Sequence, residues 1–136
     1  MKLAVTQDEL NAMLAGVPFA ESYGFRVIGI GDGRCTVLVP FRRELERPGG
    51  LVAGAAFMAA ADVAMWLAIK TRLGLDDASV TAEMKTSFLN SARNEEFHCA
   101  ARLLKCGRRL IYGVAECVGE KGALLTHHTL TYIRNA

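Results

Sequence analysis

Asp62 is the only ionisable residue between Leu51 and Ile69, in a run built mostly of alanine with Phe57, Met58, Met65 and Trp66 among its larger side chains. Moving an ionised carboxylate out of water costs on the order of several kcal/mol unless it is paired, hydrogen-bonded or left facing a wet cleft. A run that needed only to pack would have Ala or Leu at that position. Asp62 is therefore the candidate base or nucleophile of a site built around this segment. Gly54 lies eight residues earlier, behind the introducing sequence Arg47-Pro48-Gly49-Gly50. The first amides of a helix have no intrahelical acceptor, and the helix dipole is positive there. A helix starting near Gly54 could thus donate hydrogen bonds to a developing negative charge, and the missing side chain would let that charge come close to the backbone. Thr81, in the next strand-like stretch, carries a hydroxyl that could hold a water molecule.

Spacing sets a further demand. Gly54 and Asp62 are eight residues apart, roughly 12 Å along a helix axis, so one reacting carbonyl cannot touch both in the same chain. A site using both combines Gly54 of one subunit with Asp62 of another and requires a homodimer with two equivalent sites.

The elements that must position these residues follow from periodicity. Thr6-Gln7-Asp8-Glu9 has the form of a capping box, with Leu10, Met13 and Leu14 at helical spacing behind it, so a short first helix is expected to about Ala15 and to end at Gly16 and Pro18. Gly24 to Ile30 and Arg34 to Pro40 read as strands joined by the hairpin turn Gly31-Asp32-Gly33, and Pro40 to Gly50 as a charged loop. The apolar helix then runs to about Thr71, with Gly74 as its stop. Beyond it the pattern changes to period two: Val80 to Leu89, Glu96 to Cys106, Arg109 to Val118 and Ala123 to Ile133 read as four strands. Their short connectors, Ser91-Ala92-Arg93-Asn94, Gly107 and Glu120-Lys121-Gly122, predict that they pair with one another in sequence order. The expected class is α+β, with one long apolar helix on an antiparallel sheet.

Composition narrows the class of function. The chain has 136 residues, a size expected to form a single domain over residues 1–136. Hydrophobic residues make up 51% of it, at the upper edge for a globular chain, and part of that surplus could cover a subunit interface. A net charge of +2 with dispersed basic residues argues against a nucleic-acid partner. Cys35, Cys99, Cys106 and Cys117 lack the close pairing and His spacing of a zinc site and read as reduced structural thiols, so no metal is expected. The run from Leu51 to Ile69 is long enough to span a bilayer, but its alanine content and mid-run Asp62 favour a buried core helix, so no membrane partner is expected. Met1-Lys2-Leu3-Ala4-Val5 meets Gln7-Asp8-Glu9 before any apolar stretch of signal-peptide length, from which a cytoplasmic location is expected.

The element order and the segment from Gly49 to Asp62 resemble the hotdog-fold acyl-CoA thioesterases of the phenylacetate-degradation (PaaI-like) type, in the 4-hydroxybenzoyl-CoA thioesterase superfamily. In that family the helix opens with His-Gly-Gly and carries an acid nine positions after the His. Ala53 falls at the His position here, Gly54 and Ala55 at the two glycines, and Asp62 at the acid. The segment Val80 to Leu89 is similar to the family strand that begins with a Ser or Thr beside the acid, and Lys105 to Arg109 to its Gly-Arg turn. The resemblance spans residues 15 to 134. It implies a hotdog fold, in which a five- to six-stranded antiparallel sheet wraps the long central helix and a short helix precedes it. It also implies a homodimer, with a dimer of dimers common.

The implied activity is hydrolysis of an acyl-CoA thioester to a free acid and coenzyme A, with no cofactor beyond the coenzyme A of the substrate. Such hydrolysis needs a nucleophile or activated water and a donor for the oxyanion. Asp62, the Gly54 amide and Thr81 take those roles. Arg47, at the position of a family Asn or Gln, together with Ala53, Ala55 and Phe57, is expected to line the substrate site, with Met58 and Trp66 as further wall residues. Among the basic residues that could meet coenzyme A phosphates, Arg42, Arg43 and Lys105 are candidates by charge, as are Arg108 and Arg109. Ala53 in place of the family His keeps a second expectation open: a non-catalytic protein that binds acyl-CoA or another small ligand. A hydratase or dehydratase of the same fold would need a His near the helix start, and His98, His127 and His128 all lie in strand patterns.

Overall fold

The structure, a computed structural model, describes residues 2–134. Two short helices, α1 (Gln7–Ala15) and α2 (Pro18–Tyr23), precede a hairpin of β1 (Arg26–Gly31) and β2 (Arg34–Val39). A 3-10 turn at Arg43–Leu45 and a small ribbon, β3 (Glu46–Arg47) with β4 (Leu51–Val52), lead into the long helix α3 (Gly54–Leu73). Four strands follow: β5 (Val80–Phe88), β6 (Phe97–Cys106), β7 (Leu110–Gly119) and β8 (Leu124–Ile133). Six strands form one antiparallel sheet in the order β1-β2-β6-β7-β8-β5. This is the expected hotdog arrangement, with α3 on the sheet's inner face.

α1 starts as the sequence predicts. The Thr6 hydroxyl accepts from the Glu9 amide at 3.1 Å, and the Glu9 carboxylate accepts from the Thr6 amide at 2.9 Å. Pro18 does not simply end α1: it occupies the first turn of α2, where its fixed φ suits a helix start and its missing N–H is not needed. Arg42, expected as a phosphate ligand, donates instead to the carbonyls of Glu21 and Ser22 at the end of α2, at 3.1 and 3.0 Å. The charged loop from Pro40 to Gly50 contains the 3-10 turn and the first strand of the β3-β4 ribbon.

Strand pairing differs from sequence order at one place. β5 is not a neighbour of β6; it pairs with β8 at the sheet edge, while β6 inserts beside β2. The reason lies in the connector from Leu89 to Glu96, which is not a hairpin turn. It crosses the end of the sheet and is tied to the β3-β4 ribbon by hydrogen bonds from the Val52 amide to the Ala92 carbonyl (2.9 Å) and from the Asn94 amide to the Gly50 carbonyl (2.9 Å). Arg93 also donates to the Gly49 carbonyl.

α3 packs closely because its sheet-facing positions are small. Ala56, Ala60, Ala61, Ala64 and Ala68 are buried on it, with Met65 and Leu67 between them. Opposite, Gly113 of β7 has no room for a side chain: a Cβ there would lie 2.5 Å from both the Arg102 carbonyl oxygen and Met65 Cε. The most apolar 18-residue window of α3 is 67% buried against the sheet, so the long apolar helix is a core helix. Cys35, Cys99 and Cys117 are free thiols buried in the same core, and burial pushes Cys35 up to about 12.

The far end of α3 is fixed by Lys70, a buried lysine whose Nζ donates to the carbonyls of Leu75 and Asp77, each at 2.9 Å, and lies 5.0 Å from the Trp66 ring centroid. Burial holds its pKa below the ordinary lysine value. These bonds shape the loop that delivers Ser79 to β5. Lys70→Met should leave both carbonyls without their donor and lower stability by about 1–3 kcal/mol. A fall in the urea midpoint with an unchanged m-value would show it.

Candidate active site

Asp62 sits on α3 facing β5 and β8. Thr81 Oγ1 donates to its Oδ1 at 2.7 Å, and the Tyr132 hydroxyl lies 2.6 Å from the same oxygen and 2.9 Å from the Asp62 main-chain carbonyl. Both carboxylate contacts have the short length of hydrogen bonds to an ionised oxygen. A phenol has one proton to give, and the shorter contact to the charged acceptor takes it. No side chain among the described residues bonds Oδ2.

The sheet register explains this convergence. Thr81 and Tyr132 are direct cross-strand partners. Along β8, Thr126, His128, Leu130 and Tyr132 point inward and are buried; their β5 partners are Phe88, Thr86, Met84 and Thr81. The inward positions on β5 are thus even-numbered from 84 to 88, but odd at Thr81. A bulge between Thr81 and Glu83 inserts one extra residue, Ala82, and switches the parity. Without it, Ala82 would face Asp62 and the hydroxyl would turn away.

Tyr132 is only 3% exposed. Its pKa is raised first by burial and then by the adjacent Asp62 carboxylate, which keeps the phenol protonated and donating. No motif in the sequence singles out this residue. The available signal is its inward position on a period-two strand, because a buried tyrosine hydroxyl usually finds an acceptor.

Around Asp62 is a cavity of about 360 Å³ whose walls include Val17, Phe19, Val63, Trp66 and Val80. Trp66, expected as a wall residue, is here; Phe19 of α2 and Val17, the N-cap of that helix, join it, and the sequence carries no signal for either. Gly54 lines a different cavity, of about 420 Å³, with Arg47, Phe57, Phe88, Asn90 and Ser91. Within one chain the two expected partners of the site therefore lie apart, as their spacing along α3 demands.

At the Gly54 end, Ala53 is the N-cap and provides no side-chain acceptor for the first amides of α3. The Ala56 amide turns back to the Ala53 carbonyl at 2.9 Å, whereas no bond within the described residues engages the amides of Gly54 or Ala55. Phe57 is buried with its ring centroid 4.7 Å from that of Phe97, so it serves the core as well as the cavity floor. Ala55 and Met58 are exposed on the outward side of α3. Arg108 and Arg109 are exposed in the β6-β7 turn, beyond Leu110, which pairs with Ile133 and so lies at the same end of the sheet as Val80 and Thr81.

The histidines lie elsewhere. His128 is buried between the hydroxyls of Thr86 (2.8 Å to Nδ1) and Thr126 (2.7 Å to Nε2), and His127 contacts Glu116 at 2.8 Å. Neither lines the cavities holding Asp62 and Gly54.

Known proteins share this fold. Residues 49–134 match the thioesterase superfamily. A Saccharolobus solfataricus protein, an esterase by name without proof of activity, is 33% identical over 101 residues, covering 73% of this chain and 70% of its own. Among solved structures, a conserved protein of Pseudomonas aeruginosa is 29% identical with a TM-score of 0.84, over 90% of this chain and 98% of its own. A variant of the phenylacetic acid degradation protein PaaI of Thermus thermophilus is 25% identical with a TM-score of 0.78, over 88% and 100%. A thioesterase of Haemophilus influenzae, 18% identical, shares the fold with a TM-score of 0.90 over 99% and 95% of the two chains. With an acid on the central helix, a side-chain-free amide at its start and a family match over most of its length, this chain belongs to the hotdog-fold thioesterase superfamily.

Proposed function

We propose that the protein is an acyl-CoA thioesterase, releasing a free acid and coenzyme A at two equivalent sites assembled across a homodimer interface. The observation that carries this reading is the Asp62 carboxylate, held by Thr81 and Tyr132 in the lining of a largely apolar-walled cavity. Its remaining oxygen takes a proton from water as the water oxygen bonds to the thioester carbon, or attacks that carbon directly. The carbonyl oxygen gains the charge and receives a hydrogen bond from the Gly54 amide of the other subunit. Collapse of this adduct breaks the C–S bond and expels the coenzyme A thiolate, leaving the free acid in the first route and, in the second, an acyl anhydride on Asp62 that water hydrolyses to the acid and the regenerated carboxylate. The Thr81 hydroxyl keeps its proton and points it at Asp62, so toward water it acts as an acceptor.

Several features support the dimer. β5 is a nine-residue edge strand exposed on nearly its whole length, with Val80 50% and Phe88 56% exposed. Such an edge invites pairing with another strand. Beside it, α3 leaves Ala55, Met58 and part of Ala59 and Asp62 uncovered. Pairing through this face brings Gly54 of one copy toward Asp62 of the other, and association of two dimers extends the same family pattern. Arg47, which shares the Gly54 cavity and has no ion pair among the described residues, replaces the missing family donors at the carbonyl or coenzyme A end. Arg108 and Arg109 meet the nucleotide phosphates in this reading, and the enzyme works in the cytoplasm.

Release of free thiol from short, medium and aromatic acyl-CoA thioesters tests the function. Turnover of at least one class is expected. Tight binding with no turnover would instead favour the acyl-CoA-binding reading, for which Ala53 at the family His position is the specific motive. A retained thioester with a shifted double bond would identify a hydratase or dehydratase.

A further inference from the structure

We propose that Tyr132 is a positioning residue for Asp62, and that Oδ2 of Asp62, not Oδ1, is the oxygen that reacts; the proposal rests on the thioesterase reading above. Two donors converge on Oδ1, at 2.7 Å from Thr81 and 2.6 Å from Tyr132, while Oδ2 is without a bonding side chain among the described residues. A carboxylate oxygen has two in-plane lone pairs, so Oδ1 is filled and cannot also take a proton or attack carbon. Any base or nucleophile chemistry falls to Oδ2.

The two anchors differ in kind. Thr81 is exposed on an edge strand, whereas Tyr132 is 3% exposed on an inner strand, rooted among the core side chains. It is the more rigid of the two. Its hydroxyl lies 2.9 Å from the carbonyl of Asp62 itself, but its single proton goes to the carboxylate at 2.6 Å, so the restraint it supplies falls on the side-chain rotamer of Asp62. Holding a reacting atom in its productive orientation is worth a substantial part of a barrier. Because burial and the neighbouring charge keep the phenol protonated, this restraint persists through the neutral range. In the base route the water proton ends on Oδ2, the thiolate later takes a proton from it or from solvent, and the protons of Tyr132 and Thr81 stay where they are.

The test uses the acyl-CoA that the wild-type protein turns over best. Tyr132→Phe keeps the ring and deletes one hydroxyl. A lost hydrogen bond to a charged group corresponds to about a 10- to 100-fold fall in kcat, and KM should change little. The same substitution made in Asp62→Asn should have no further effect, since a residue acting through Asp62 is silent once the carboxylate is gone. Thr81→Val, at an exposed position, should lower kcat in the same way and add to the loss in Tyr132→Phe. Wild-type kcat in Tyr132→Phe overturns the proposal while leaving the thioesterase reading intact. So does an equal loss in the Asp62→Asn background, or a Tyr132→Phe chain that does not fold, since either makes the tyrosine a structural residue. Absence of any turnover by wild-type protein overturns both.

Discussion

Asp62→Asn should lower kcat by about 10²- to 10⁴-fold, the range for removing a positioned acid–base group, while leaving the fold in place. The asparagine amide keeps an oxygen that can accept from Thr81 and Tyr132, the two donors now on Oδ1. The NH₂ group then occupies the place of Oδ2. It has no lone pair suited to taking a proton from water and is a poor nucleophile. The substitution thus separates holding from reacting, and an unchanged melting temperature and KM should accompany the collapse in kcat. A rise confined to KM, with kcat unchanged, would indicate that Asp62 only binds. Turnover equal to wild type would remove Asp62 from the chemistry altogether. Loss of a charge from a half-buried position is not expected to destabilise the helix, because the neighbours of Asp62 are hydroxyl groups rather than a buried cation.

The parts of this site that can be read in advance are those governed by local rules. An alanine-rich run flanked by glycines gives α3 and its stop at Gly74, and Asp62 is conspicuous because it violates the run's own pattern. The period-two stretches give β5 to β8 almost to the residue. Pairing is less accessible: a short polar connector such as Ser91 to Asn94 looks like a hairpin turn, and only the tertiary contacts of Val52 and Gly50 with Ala92 and Asn94 reveal a crossover. The bulge at Ala82 is equally silent in sequence, yet it decides that Thr81 faces Asp62. Thr81 can be nominated by family resemblance, but the physical reason for its orientation is a register shift. Tyr132 is 70 residues from its partner. Its period-two position marks it as inward, but only the packing of α3 against β8 brings it to the acid.

Gly54→Pro should lower kcat by about 10²- to 10³-fold, the measured scale for deleting one oxyanion donor, and the loss should be repairable by a second chain. Proline removes the amide proton without changing charge, and it is accepted at the first position of a helix, where that proton has no intrahelical partner. The preceding Ala53, at φ −65° and ψ 143°, already has the extended backbone that proline requires of its predecessor. A side chain at this position would meet the Phe88 ring, 3.1 Å from its Cε1, but that ring is more than half exposed and can swing aside. Alone, then, Gly54→Pro and Asp62→Asn should each yield folded, nearly inactive dimers. In a mixed dimer, the chain carrying Asp62→Asn still offers its Gly54 amide, and the chain carrying Gly54→Pro still offers its Asp62 carboxylate. The two intact halves meet at one of the two sites, and the two damaged halves at the other. Random co-assembly in equal amounts makes half of the dimers mixed, so co-expression should restore about a quarter of wild-type activity if each site is shared between protomers. If Gly54 and Asp62 instead served a site within one chain, every site in the mixture would carry one lesion and activity would stay at the level of the parents. The fraction recovered therefore measures the architecture of the site directly, independently of which acyl-CoA the enzyme prefers.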